Sequence, residues 1–235
     1  MGAIYRREIS SYFTSPIAYV FLTAFYFTTG VYFCITTLAS STTDMSAFFS
    51  GILVILMVLV PLITMRLLSE ERRNKTEQSL LTAPIRLTEM VMGKYLAALT
   101  LYTIAEAIFI IYALILNYFG DVQWTFVLSN SLCIFLVGAA FIAIGVFYSS
   151  ITESQIVAFI LTFFTLVFIW ILDIVAGYVS STEWLAEFLT SISVYGKYIE
   201  FTRGIFNLST LIYFLTIMFI FNFLTVRVYE KRRWS

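Results

Sequence analysis

The chain has 235 residues, of which 60% are hydrophobic and 12% charged, with 24 Phe, 15 Tyr and no His; that is more apolar surface than one water-soluble core can cover. A mean hydropathy of +0.93 excludes an ordinary soluble domain and makes a bilayer the solvent. The lack of His, of any Cys or carboxylate cluster at ligand spacing and of a phosphate-binding glycine loop argues against metal chemistry, a Ser-His-Asp triad and ATP hydrolysis by this chain.

Residues 3–15 come first. On a helical wheel Ile4, Tyr5, Ile9, Tyr12 and Phe13 share one half and Arg6, Arg7, Ser10, Ser11 and Thr14 the other, with Glu8 as the misfit. The pattern predicts an amphipathic helix lying along a membrane surface, stopped at Ser15-Pro16 because the residue before a proline is pushed out of helical conformation. A frayed tail is the alternative.

Six apolar runs follow, over 17–38, 47–68, 90–118, 126–149, 156–179 and 208–229. At 1.5 Å per residue each crosses about 30 Å of hydrocarbon. The first is longer than the apolar core of a signal peptide and is read as a span. The period-two alternation of a membrane barrel is missing, so the expected fold class is an all-α membrane protein with six transmembrane helices in a single domain over 1–235.

Arg6 and Arg7 precede the first run. Arg66, Arg72, Arg73, Lys75, Arg86 and Lys94 surround the loop between the second and third, and Arg227, Lys231, Arg232 and Arg233 follow the sixth, leaving Lys197 and Arg203 elsewhere. Cytoplasmic loops carry the excess of Lys and Arg, so the rich side is expected to be the cytoplasm, with both termini on it. Cys34 and Cys133 fall inside runs and read as small packing residues.

The loop over 70–88 is the most heavily charged stretch. Asn74 followed three residues later by Glu77 reads as an N-cap with its capping-box partner, which predicts a short helix from Asn74 to about Thr82, ended by Pro84. Leu80 and Leu81 would then be apolar knobs among charges. The residues alone leave two readings open, a docking helix and an ordinary solvated loop.

The order Pro61, Met65-Arg66, Glu70-Glu71-Arg72-Arg73, Thr76, Leu80-Leu81-Thr82-Ala83-Pro84 and Gly93-Lys94 resembles the signature of ATP-binding-cassette permeases of the type-2 class. One departure is Lys75, where the family has Gly before Thr. Tyr198-Ile199-Glu200-Phe201-Thr202-Arg203-Gly204-Ile205 and the final Arg232-Arg233-Trp234 are similar to the tail of the gliding-motility-associated subgroup. The resemblance implies six spans behind a surface helix, residence in a bacterial inner membrane, and a coupling helix between spans two and three that docks in a separate ATPase. It assigns coupling to Glu71, Arg72, Arg73, Thr76, Glu77, Leu80, Leu81 and Pro84. For 180–206 it implies short re-entrant helices capping a path from outside; an interfacial helix anchored by aromatics is the plainer reading of Trp184, Leu185, Phe188, Leu189 and Ile192.

Glu106 and Asp173 are acids inside spans. Such residues usually face a protein interior or wet cavity, so both are candidate path-lining residues; a protonated Glu bonded to a neighbouring helix and an Asp reaching the interface are the alternatives. Gly93, Ala97, Gly138, Ala139, Ala140, Ala143 and Gly145 mark where helices can approach closely.

The expectation is a permease subunit of an ATP-driven exporter, working as a dimer with itself or a related permease. ATP and magnesium belong to the partner ATPase, and no nucleic acid is involved. An auxiliary subunit with an external domain is left open. Rival readings are an ion-coupled secondary transporter with Glu106 carrying a proton, and a scaffold that transports nothing; the lack of internal repeats weighs against the first.

Overall fold

A long apolar run in hydrocarbon must satisfy its backbone internally, and a helix does so. The computed structural model describes residues 2–76, 86–178, 193–202 and 208–234, with the side chains of all but 200–202 and 234. It has no strand among the described residues. Helix α1 (Gly2–Thr14) stops as expected: Ser15 is extended (φ −96°, ψ 156°) and Pro16 opens α2 (Pro16–Phe33), which continues through a wider π-type turn over Cys34–Leu38. Then come α3 (Ser46–Thr64), α4 (Ser69–Arg73), α5 (Leu87–Glu106), α6 (Ile108–Phe119), α7 (Trp124–Ile151) and α8 (Gln155–Tyr178). The short α9 (Val194–Thr202) and the last helix α10 (Leu208–Trp234) complete the chain. Six segments are long and apolar enough to cross a membrane: Pro16–Leu38, Ser46–Arg73, Leu87–Phe119, Trp124–Ile151, Gln155–Tyr178 and Leu208–Arg233.

Helix α7 is the hub and packs on α3, α5, α8, α9 and α10. Its small residues explain why. A methyl group on Gly138 would fall 2.2 Å from the Tyr102 ring, and one on Gly145 2.1 Å from the Thr64 hydroxyl, so only bare Cα atoms let α5 and α3 come so close. The tyrosines of α5 then reach across, Tyr95 to the Ala139 carbonyl at 3.2 Å and Tyr102 to the Ile134 carbonyl at 2.9 Å.

At the end away from the Arg- and Lys-rich loop an aromatic cluster joins α2, α3 and α6. Phe33 stacks on Tyr112 at 4.5 Å, and Phe48 meets Phe33, Phe109 and Tyr112 edge-on; each such pair adds about 0.5–1.5 kcal/mol beyond the area it buries. Helix α9 enters this end and buries Tyr198, whose hydroxyl donates to the Phe49 carbonyl. By contrast α2, α8 and α10 turn large apolar side chains such as Phe27, Phe164, Phe168 and Phe219 outward, as helices that meet lipid must.

Candidate coupling site at the charged end

The second span does not run as one helix into the charged loop. After Thr64 the chain turns over 65–68 before α4 begins. Ser149, at the end of α7, accounts for the break. Its hydroxyl accepts the amides of Leu68 and Ser69 at 3.0 and 3.1 Å and donates to the Met65 carbonyl at 3.1 Å. Those two amides would otherwise bond to Thr64 and Met65 within a continuing α-helix. The turn and the short helix after it, residues 65–76, form an elbow whose start is therefore stapled to the hub.

Two turns inside α5, Lys94 is 1% exposed. Its ammonium donates to Glu8 Oε1 at 3.1 Å, to Glu71 Oε1 at 2.8 Å and to the Leu67 carbonyl at 3.0 Å. An ammonium has three protons, and here each has an acceptor from a different element: α1, α4 and the turn before α4. A buried charge is tolerated only when so fully paired. Glu8, the misfit on the α1 wheel, faces inward because Lys94 is there. Around it α1 turns Ile4, Tyr5, Ile9 and Tyr12 toward the bundle. Tyr5 bonds to the Thr100 hydroxyl at 3.0 Å, the buried Tyr12 donates to the Ile63 carbonyl at 3.3 Å, and a methyl on Gly93 would meet Ile4 at 3.1 Å. Phe13 instead packs edge-on against Tyr19.

Arg72 turns sideways. Its guanidinium caps the Ile151 carbonyl at the C-terminus of α7 and pairs with Glu153 at 2.9 Å. Arg232 from α10 donates to the adjacent Ser150 carbonyl at 2.6 Å. Two cations thus satisfy the last carbonyls of the hub, where the helix dipole favours them.

The helix start expected at Asn74 is a helix end. Asn74 (φ −84°, ψ 0°) is the C-cap of α4, and Lys75 follows with φ 57°. The Lys75 amide bonds back to the Arg72 carbonyl at 3.1 Å and the Thr76 amide to the Glu71 carbonyl at 3.0 Å. This is a Schellman close, and its left-handed residue is the position that favours glycine. A capping box would need Asn74 in extended conformation, which the close of α4 denies it.

Of the expected coupling residues, Glu71 is turned inward on Lys94 and Arg72 toward α7, whereas Arg73 and Thr76 are exposed. Glu77, Leu80, Leu81 and Pro84 lie outside the described residues, as do Trp184 to Ile192 in the outer segment. Glu106 is 7% exposed, at the break between α5 and α6, and its Oε1 is buried without a hydrogen-bond partner. Tyr102, Tyr198 and Cys133 lie within its electrostatic reach. Asp173 is half-buried, and a methyl on Gly196 would come within 2.9 Å of its Oδ1. Asp173 therefore faces α9 at Gly196.

Sequence reasoning missed Lys94, Glu8, Ser149 and Arg232 as parts of this site. A signal existed for the first two, since a lone cation inside an apolar run and an acid on an apolar helix face are each costly unless they meet. Ser149 gave none.

A family model described as ABC-2 family transporter protein matches residues 6–169 of the chain, which takes in most of α1, the elbow and the hub. No curated protein matches it.

Proposed function

The chain belongs to the ABC-2 family of transporters, membrane components that are not themselves catalytic, and from that membership we propose that it is the permease subunit of an ATP-driven exporter. Two copies, or one copy and a related permease, form the path. A separate ABC ATPase, which holds the ATP and magnesium, docks on the segment 70–88 from the cytoplasm, where both termini also lie in the proposed orientation. The tail similarity at Tyr198 to Ile205 supports the gliding-motility-associated subgroup.

The observation that carries this reading is the wiring of the elbow. Lys94 ties Glu71 to α5 and α1, and Ser149 and Arg72 tie the same short stretch to α7. A loop that served only topology would need none of these bonds. Movement of the ATPases against the exposed part of the elbow would therefore reach the third span, the hub and the surface helix together.

The test is copurification with the ATPase after replacing Leu80 and Leu81 together by Asp. An apolar knob exchanged for charge in a cleft is expected to reduce capture of the ATPase at least tenfold while the permease remains folded. Undiminished capture overturns the docking assignment. Vanadate-sensitive export by vesicles containing both proteins separates an exporter from a scaffold.

A further inference from the structure

We propose that the half-open cavity between α1 and the elbow binds the phosphoethanolamine headgroup of a membrane lipid. The cavity measures about 190 Å³ and its polar wall includes Arg7, Glu8, Arg66, Glu70, Glu71 and Lys94. Its charges are not all paired alike. Arg66 and Glu70 neutralise each other at 2.8 Å across one helical turn. Deeper in, one ammonium serves two carboxylates, those of Glu8 and Glu71, and the second of them is balanced only by Arg7, a longer pair made from the rim. Glu71 uses Oε1 for Lys94 and has Oε2 buried without a hydrogen-bond partner. At the rim, Arg7 stands 3.7 Å from Glu71 with its side chain 62% exposed.

A buried carboxylate oxygen with no donor is costly, and what would satisfy it is a cation that donates hydrogen bonds. One water needs about 10–15 Å³ of such space, so the cavity has room for a much larger group. The floor calls for an ammonium and the rim presents a guanidinium suited to a phosphate. A primary ammonium and a phosphate joined by two carbons supply both. The lipid form is favoured over a free molecule because α1 is an amphipathic helix at the ends of the spans, the depth at which such helices meet headgroups. The inference rests on the six spans and on this geometry, not on where an ATPase docks.

The experiment uses the full chain, purified in detergent and delipidated, with thermal unfolding and native mass spectrometry as readouts. The probes are phosphatidylethanolamine and its N-methyl, N,N-dimethyl and N,N,N-trimethyl forms with the same acyl chains. The first three can donate a hydrogen bond to Glu71 and the last cannot. The expected result is a rise in Tm of about 3 °C with each of the first three at saturation, retained lipid in the mass spectrum, and loss of both effects with the trimethyl form. Equal effects across the series, or preference for an anionic lipid with no ammonium, overturn the proposal. Free phosphoethanolamine matching the lipid at equal concentration overturns the lipid source. In Glu71→Gln the step between the dimethyl and trimethyl forms should vanish; a step that persists in the folded variant also overturns the assignment. If the ATPase instead fills the cavity with a side chain of its own, adding it abolishes lipid retention, and the lipid assignment fails while copurification succeeds.

Discussion

Replacing Lys94 by Met removes three donors from beneath α1 and leaves two carboxylates facing each other in a buried place. Breaking a buried ion pair from one side costs about 3–5 kcal/mol, so a drop in Tm of roughly 10 °C is expected by thermal unfolding in detergent. Lys94→Arg should recover only part of this, since a planar fork does not aim its donors as an ammonium does. At Lys75 the backbone, not the side chain, carries the expectation. A left-handed conformation costs a non-glycine residue about 1–2 kcal/mol, so Lys75→Gly should leave Tm unchanged or raise it. Lys75→Val, whose branched Cβ suits that region least, should lower it; equal Tm values for the two would contradict the φ of 57°. Lys75 thus holds a left-handed conformation that favours glycine, the residue that the resemblance places there. The sequence could flag Lys94 and Glu8 as odd residues, but not as one another's partners, because they are 86 positions apart and only tertiary packing joins them.

Among the elements, the spans were legible and the elbow was only partly so. Runs of 23 to 33 residues repeat the same apolar message many times over, and hydrocarbon admits one answer to it. Gly138 and Gly145 were likewise readable as close approaches. The elbow turns on single bonds. Asn74 carries the same preferences at either end of a helix, and it became an end once the amides of Leu68 and Ser69 left the ladder for Ser149. Ser149→Ala should strand those amides at a cost of about 1–3 kcal/mol. In a reconstituted complex it should reduce export more than ATP hydrolysis, because the elbow would keep only Arg72 as its hydrogen-bonded tie to α7. A proportional loss of both would indicate ordinary destabilisation. The intramembrane acids teach a related lesson: composition placed Glu106 and Asp173 in spans, but no signal marked the short helix α9 as the neighbour of Asp173.

For the molecule as a whole, the uneven charge distribution fixed a polarity that the geometry shares. Helix α1, the elbow and the end of α10 meet at one end, through Lys94 and Arg232, and Asp44 and Asp121 lie together at the other. With Cys34 and Cys133 replaced by Ala, single cysteines at Thr76 and Arg233 should react with an impermeant thiol reagent from one side of the membrane and a cysteine at Thr43 from the other. Labelling of Thr76 and Thr43 from the same side would contradict the arrangement of spans. The two arginines on the hub also bear on biogenesis. Arg72 exists before α7 is made, but the Ser150 carbonyl waits for a guanidinium 82 positions further along. At about 5–20 residues per second of synthesis, that interval is about 4–16 s. Until Arg232 leaves the ribosome, the most buried span of the bundle stands with that pole half-closed.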